Sequence, residues 1–161
     1  LHSTSRRQRQ MCIRDSNKYI TIFRDRQQGK VIIMEEKTLT KTIKVEEEQL
    51  AVSMGSGGLA VLATPAVVAL MENAAFELCE EILNNDELTT VGTAISIEHT
   101  SPTPLGAEIS ATAVLKENDG RFFNFEVSAS DAKGIIAKGT HTRVSVKAEK
   151  FQKKADEKFN G

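Results

Sequence analysis

Between Thr64 and Asn84 the polar residues Asn73, Glu77, Glu80, Glu81 and Asn84 recur at helical spacing and form one wet stripe. Nearly all the rest of that helix surface is apolar, so it folds only where a broad partner such as a sheet buries it. Thr64-Pro65 marks the start. Thr can cap a helix, and Pro at the first helical position gives up an N–H that has no partner there. Asn84-Asn85-Asp86 marks the end. Glu72 lies off the wet stripe. Its neighbours one turn away are Val68, Ala69, Ala75 and Phe76, all apolar, where an unpaired carboxylate costs several kcal/mol. It is therefore paired, protonated or doing chemistry, unless it sits at the stripe edge and snorkels to water.

Four strand-like runs follow, from Leu88 to His99, Ala107 to Lys116, Arg121 to Ser130, and Gly134 to Lys147. Asn118-Asp119-Gly120 and Asp131-Ala132-Lys133-Gly134 are hairpin turn signals between them. Ahead of the helix, Thr40 to Glu47 alternates loosely and reads as an edge strand. Ser53-Met54-Gly55-Ser56-Gly57-Gly58 then reads as a flexible loop, without the closing Gly-Lys-Ser/Thr of a phosphate-binding loop. Residues from Glu149 to Lys158 are charged and suit a frayed helix. One strand, a long buried helix and an antiparallel four-strand meander follow the order of a hot-dog fold. The predicted class is α+β, with an antiparallel sheet wrapped around one long central helix.

Arg6-Arg7-Gln8-Arg9-Gln10-Met11-Cys12-Ile13-Arg14-Asp15-Ser16 is what a transposon-based sequencing adapter encodes when read in frame. Gln28-Gly29-Lys30-Val31 can be encoded by a purine-rich ribosome-binding stretch just before Met34. The expectation is a disordered, non-native leader over 1–33, a domain over 34–148 and a charged tail over 149–161 whose first part suits a frayed helix. Two alternatives stand beside it: a basic N-terminal arm, and a strand at Tyr19-Ile20-Thr21-Ile22-Phe23. The whole chain carries 21 Lys and Arg against 22 Asp and Glu, a formal charge of −1. Arg6, Arg7, Arg9 and Arg14 all lie in the adapter-like stretch, so the remainder is more acidic. No cationic surface for nucleic acid or anionic membrane is expected, and no apolar run is long enough to span a bilayer. Cys12 falls in the same stretch, which leaves Cys79 alone: no disulfide framework, a reducing compartment, and a cytoplasmic setting. No metal and no cofactor are expected.

Ala63-Thr64, Glu72, Gly92-Thr93-Ala94-Ile95, His99-Thr100, Thr103-Pro104, Gly106, Gly139-Thr140-His141-x-Arg143 and Glu149-Lys150-Phe151, in that order and spacing, resemble the fluoroacetyl-CoA thioesterase family. The resemblance covers roughly Glu46 to Phe151. It implies hydrolysis of an acyl-CoA thioester by Thr64, Glu72 and His99, with Gly92 contributing its backbone and Arg143 meeting a phosphate or carboxylate. The chemistry is sound in principle. An apolar site raises a carboxylate's pKa; a hydroxyl at a helix N-terminus sits where developing negative charge is favoured; an imidazole shuttles protons near neutrality. Each residue also has a plain structural reading. Thr64 can be only an N-cap, His99 a strand-end histidine held by the next turn, and Arg143 a solvated strand charge. His141, alternating with Arg143 on one strand face, is the weaker candidate of the two histidines.

The family's fluoroacetyl-specific enzyme carries lid phenylalanines before the Thr; here Gly55-Ser56-Gly57-Gly58-Leu59-Ala60 has no aromatic. A general short-chain acyl-CoA substrate is therefore expected instead of fluoroacetyl selectivity. Two rival functions remain: a hot-dog hydratase or dehydratase on acyl thioesters, and a non-catalytic acyl-CoA binding dimer. A homodimer is expected in any case, because pairing exposed sheet edges covers them.

Overall fold

The computed structural model describes residues 11–15, 18–24 and 31–159, which fall into two compact units, Leu1–Thr38 and Leu39–Gly161. In the first, strands β1 (Met11–Asp15) and β2 (Lys18–Arg24) and the start of β3 (Val31–Lys44) form an antiparallel meander. Ile13 pairs with Ile20, and Thr21 with Met34. Within the expected leader, the described stretches Met11–Asp15, Lys18–Arg24 and the start of β3 are strands. Their alternating β-branched and aromatic residues favour extended pairing whatever the origin of the codons. Positions 1–10, 16–17 and 25–30 of that expected leader lie outside the described residues.

In the second unit the rest of β3 leads through a single 3-10 turn, Glu47–Gln49, and a short helix α1 (Ala51–Met54) to the long helix α2 (Thr64–Leu83). Strands β4 (Leu88–His99), β5 (Glu108–Asn118), β6 (Phe122–Asp131) and β7 (Gly134–Lys147) follow, then helix α3 (Ala148–Asp156). The five strands of this unit stand in the order β3-β5-β6-β7-β4. All are antiparallel; on β3 and β5 the hydroxyl pairs Thr40–Thr112 and Thr42–Ser110 step in opposite senses. This is the predicted hot-dog arrangement. Both hairpin turns form where expected. The Asp119 carboxylate accepts from the N–H groups of Arg121 and Phe122, and that of Asp131 from Lys133.

One face of the sheet, led by Phe123, Phe125, Val127 and Ala129, packs on Val67, Leu70, Met71, Ala74 and Leu78 of α2 in a single core. Helix α2 runs antiparallel to β4. Thr64 bonds to His99 near one end, Glu72 lies beside Gly92, and Glu80 accepts from the Thr89 hydroxyl farther along. The helix is not covered all round. Pro65 and Ala69 are exposed and Val68, Glu72 and Phe76 half-buried, while Gly92, Thr93 and Ala94 of β4 are exposed too. An open apolar strip and an open sheet edge therefore lie together.

Candidate active site

Thr64 does not cap its helix. Ala63 occupies the N-cap position with no side-chain bond, Thr64 is the first helical residue, and its Oγ1 lies 3.0 Å from His99 Nδ1. The two plain structural readings fail together: the hydroxyl and imidazole partner each other across 35 residues instead of serving their own local turns. His99 Nε2 is buried with no hydrogen-bond partner among the described residues. The pair faces a cavity of about 310 Å³ walled by Ala51, Val61, Leu62 and Ala63 on one side and Thr100, Ser101 and Pro102 on the other. A larger open groove of about 610 Å³ crosses the sheet around Glu126, Ser128, Lys138 and Thr140. The Thr64–His99 contact opens onto the smaller of the two.

Glu72, Gly92 and Arg143 gather at a second point, with His141. Glu72 Oε1 is 3.7 Å from His141 Nε2, and the Glu72 side chain is 40% exposed. Its helix neighbours are apolar, as the spacing requires, but Ala69 one turn back is exposed and Val68 and Phe76 are half-buried, so in the single chain the carboxylate reaches water in the way the stripe-edge reading describes. Gly92 lacks the side chain that would intrude here: a Cβ would lie 2.5 Å from Glu72 Oε1 and 3.1 Å from His141 Cε1. The β4–β7 ladder skips a residue between Gly92 and Ala94, and such bulges re-aim groups near functional sites.

Arg143 does not reach outward for a phosphate. It is 6% exposed, donates from Nε to Thr90 Oγ1 at 2.9 Å and from Nη2 to the Thr90 carbonyl at 2.8 Å, and lies over the Phe76 ring. Burial pulls its guanidinium below the usual arginine range, with Cys79, Glu72 and Glu80 opposing that shift. His141 is the residue the sequence under-weighted, although its alternation with Arg143 was the available signal. Burial pushes its imidazole below 6.5, against the pull of the Ala94 carbonyl. The site residues thus fall into two clusters, Thr64 with His99 and Glu72 with Gly92, His141 and Arg143. Thr64 and Glu72 are eight residues apart on α2, a rise of about 12 Å. Among the described residues no group of three or more His, Cys, Asp or Glu side chains is placed to hold a metal ion, and no helix is long and apolar enough to cross a membrane.

With this geometry in place, comparison with known proteins is direct. The family described as fluoroacetyl-CoA-specific thioesterase matches residues 45–149. The fluoroacetyl-CoA thioesterase of Streptantibioticus cattleyicolor is 39% identical over 98 residues, 61% of this chain and 70% of that protein. A solved structure of the thioesterase FlK, a Thr-to-Ser mutant in complex with acetyl-CoA, superposes with a TM-score of 0.72 at 29% identity, covering 77% of this chain and 97% of that one. A hot-dog-like protein from Thermanaerovibrio acidaminovorans superposes at 0.70 with 21% identity over 78% of this chain and 93% of its own, a likeness of fold.

Proposed function

The chain belongs to the fluoroacetyl-CoA-specific thioesterase family, and from that membership we propose that it hydrolyses a short-chain acyl-CoA to the free acid and CoA through Thr64, His99 and Glu72. The observation that carries the assignment is the 3.0 Å contact of Thr64 Oγ1 with His99 Nδ1 at the 310 Å³ cavity. With Nδ1 as acceptor, the imidazole is a base for the Thr64 hydroxyl, or for a water that the hydroxyl holds. Attack on the thioester carbonyl then breaks the C–S bond, and the departing sulfur takes the proton. A water nucleophile gives the free acid directly, whereas attack by Thr64 leaves an acyl ester that a second, base-activated water hydrolyses to the acid, returning the hydroxyl. The start of the 20-residue helix α2 favours the negative charge that develops beside it. Glu72, a carboxylate with water access, serves as a second base or holds the imidazolium that forms.

The substrate range follows from the cavity. Its size suits a short acyl group, and its walls at Ala51, Val61, Leu62 and Ala63 are small or aliphatic. Gly55, Ser56, Gly57 and Gly58 lie exposed nearby, and no aromatic side chain comes from that segment to grip a fluorinated group. A contact to one small group is worth about 1–3 kcal/mol, so discrimination between fluoroacetyl- and acetyl-CoA should stay below about a hundredfold. Thiol release from acetyl-, fluoroacetyl-, propionyl- and butyryl-CoA, measured side by side, tests both points. Release from several of them is expected. No release from any would overturn the hydrolase assignment, and water addition to an enoyl-CoA without free thiol would put a hydratase in its place.

We also propose a homodimer built on β4. Pairing two β4 edges about a two-fold axis covers both the open edge and the apolar strip at Pro65, Val68 and Ala69. Antiparallel pairing brings the Gly92 end of one strand beside the His99 end of its mate, so that Glu72 joins the Thr64–His99 pair of the partner subunit. Cys79, buried and free, with its thiol pushed up to about 11 by desolvation, suits a reducing compartment, and we place the protein in the cytoplasm.

A further inference from the structure

We propose that His141 is a positioning residue for Glu72, held as the neutral Nδ1–H tautomer so that its lone pair, with Thr90, holds the Arg143 guanidinium whose charge keeps the carboxylate at the open face of Gly92. The inference rests on the hydrolase assignment above and adds to it a residue outside the Thr64, His99 and Glu72 set. His141 Nδ1 lies 2.8 Å from the Ala94 carbonyl oxygen. A carbonyl only accepts, so Nδ1 carries a proton; Nε2 faces a guanidinium N–H, which only donates, and so carries a lone pair. That lone pair accepts from Arg143 Nη1 at 3.2 Å. The guanidinium is in turn clamped by both oxygens of Thr90.

The order of contacts is a relay of orientation from the fold to the reacting group. The bulge at Gly92–Ala94 accompanies the Ala94 carbonyl contact; that contact fixes the ring; the ring and Thr90 fix the guanidinium. Glu72 Oε1, 3.7 Å from His141 Nε2, meets this assembly from α2. A bare lone pair at that distance would repel a carboxylate, and the adjoining Arg143 charge is what makes the approach favourable. The imidazole side chain is fully buried and near-parallel to the Phe125 ring from β6, with centroids 6.4 Å apart. The charged groups acting on it are Glu72 from α2 and Arg143 on its own strand. A protonated His141 would lose the Arg143 bond and place two cations together, so the neutral form is the one that keeps the relay intact.

The test uses the full chain and acetyl-CoA. His141→Ala should lower kcat about a hundredfold, the usual result of misplacing a reacting group by about an ångström, with KM little changed. His141→Gln, whose amide offers both a donor and an acceptor, should recover most of that loss. In a Glu72→Gln background, His141→Ala should cost almost nothing further, since the group it positions is already gone. A His141→Ala protein that keeps its kcat, or full additivity with Glu72→Gln, overturns the positioning role alone. An unsubstituted protein that releases no CoA overturns the hydrolase assignment and this role with it. Imidazole ¹⁵N shifts of the unsubstituted protein give a reading independent of turnover and of variant folding. At about pH 6.5, where a free imidazole is about half protonated, His141 should be neutral with the proton on Nδ1; an imidazolium or the Nε2–H tautomer there overturns the proposal.

Discussion

Thr64 shows how one residue type serves two readings until its partner is known. From sequence it is a helix cap or a catalytic hydroxyl, and the 3.0 Å contact with His99 decides between them. The distinction has a measurable consequence. Thr64→Ala removes no cap, because none exists, so its melting temperature should stay close to that of the parent while hydrolysis collapses. Thr64→Ser, which keeps the hydroxyl, should remain active. Glu72→Gln and His99→Ala should each lower kcat by ~10²–10⁴-fold, the usual range for general acid–base groups. A large drop in melting temperature for Thr64→Ala would return that residue to a structural role, and near-parental rates in either of the others would remove it from the mechanism. Glu72 was legible as an anomaly because helical spacing puts it among apolar neighbours. Its true surroundings were not, since they depend on Gly92, His141 and Arg143 from two distant strands. Arg143 misled for a related reason: a strand charge usually faces water, and only the Thr90 clamp shows that this one faces in.

Among the elements, α2 and the strands β4 and β7 were legible to within a residue, because helical and two-residue periodicity each leave a signal over ten residues or more. Short α1 was not, as one turn inside a Gly/Ser-rich stretch has no periodicity to show. The glycine of Gly139-Thr140-His141 also acquires a cause. A Cβ at Gly139 would collide with the Ser96 backbone oxygen and lie 2.7 Å from Ile97 Cα. The obstacle is backbone, which cannot swing aside. Gly139→Ala should therefore push β4 away from β7 and cost about 1–3 kcal/mol of stability, as overpacking does. Because β4 also carries His99, the Thr64 contact should loosen and kcat fall in native conditions even where the protein remains folded. Urea unfolding beside steady-state kinetics checks both. A variant with unchanged stability would show that the two strands can separate at this point without loss.

For the whole molecule, the separation of the two clusters poses a question that one chain cannot answer by itself. Eight residues of α2 place Thr64 and Glu72 about 12 Å apart, and neither can travel along a rigid helix to reach the other. The antiparallel course of α2 along β4 offers a way out, because a two-fold axis through the β4 edge reverses the order of the clusters in the partner and sets opposite ends together. Mixing experiments separate this arrangement from a site confined to one chain. Thr64→Ala and Glu72→Gln chains, each nearly inactive alone, are unfolded together, refolded and assayed. If the site is shared, every mixed dimer has one site that carries both defects and one that carries neither. Random pairing makes half the dimers mixed, so recovery should reach about a quarter of parental activity in a two-fold assembly. A site built within one chain predicts no recovery at all, because every chain then carries a broken site wherever it pairs. Sedimentation of the parent must show a dimer for the result to stand, and a monomer with full activity would overturn the shared site directly.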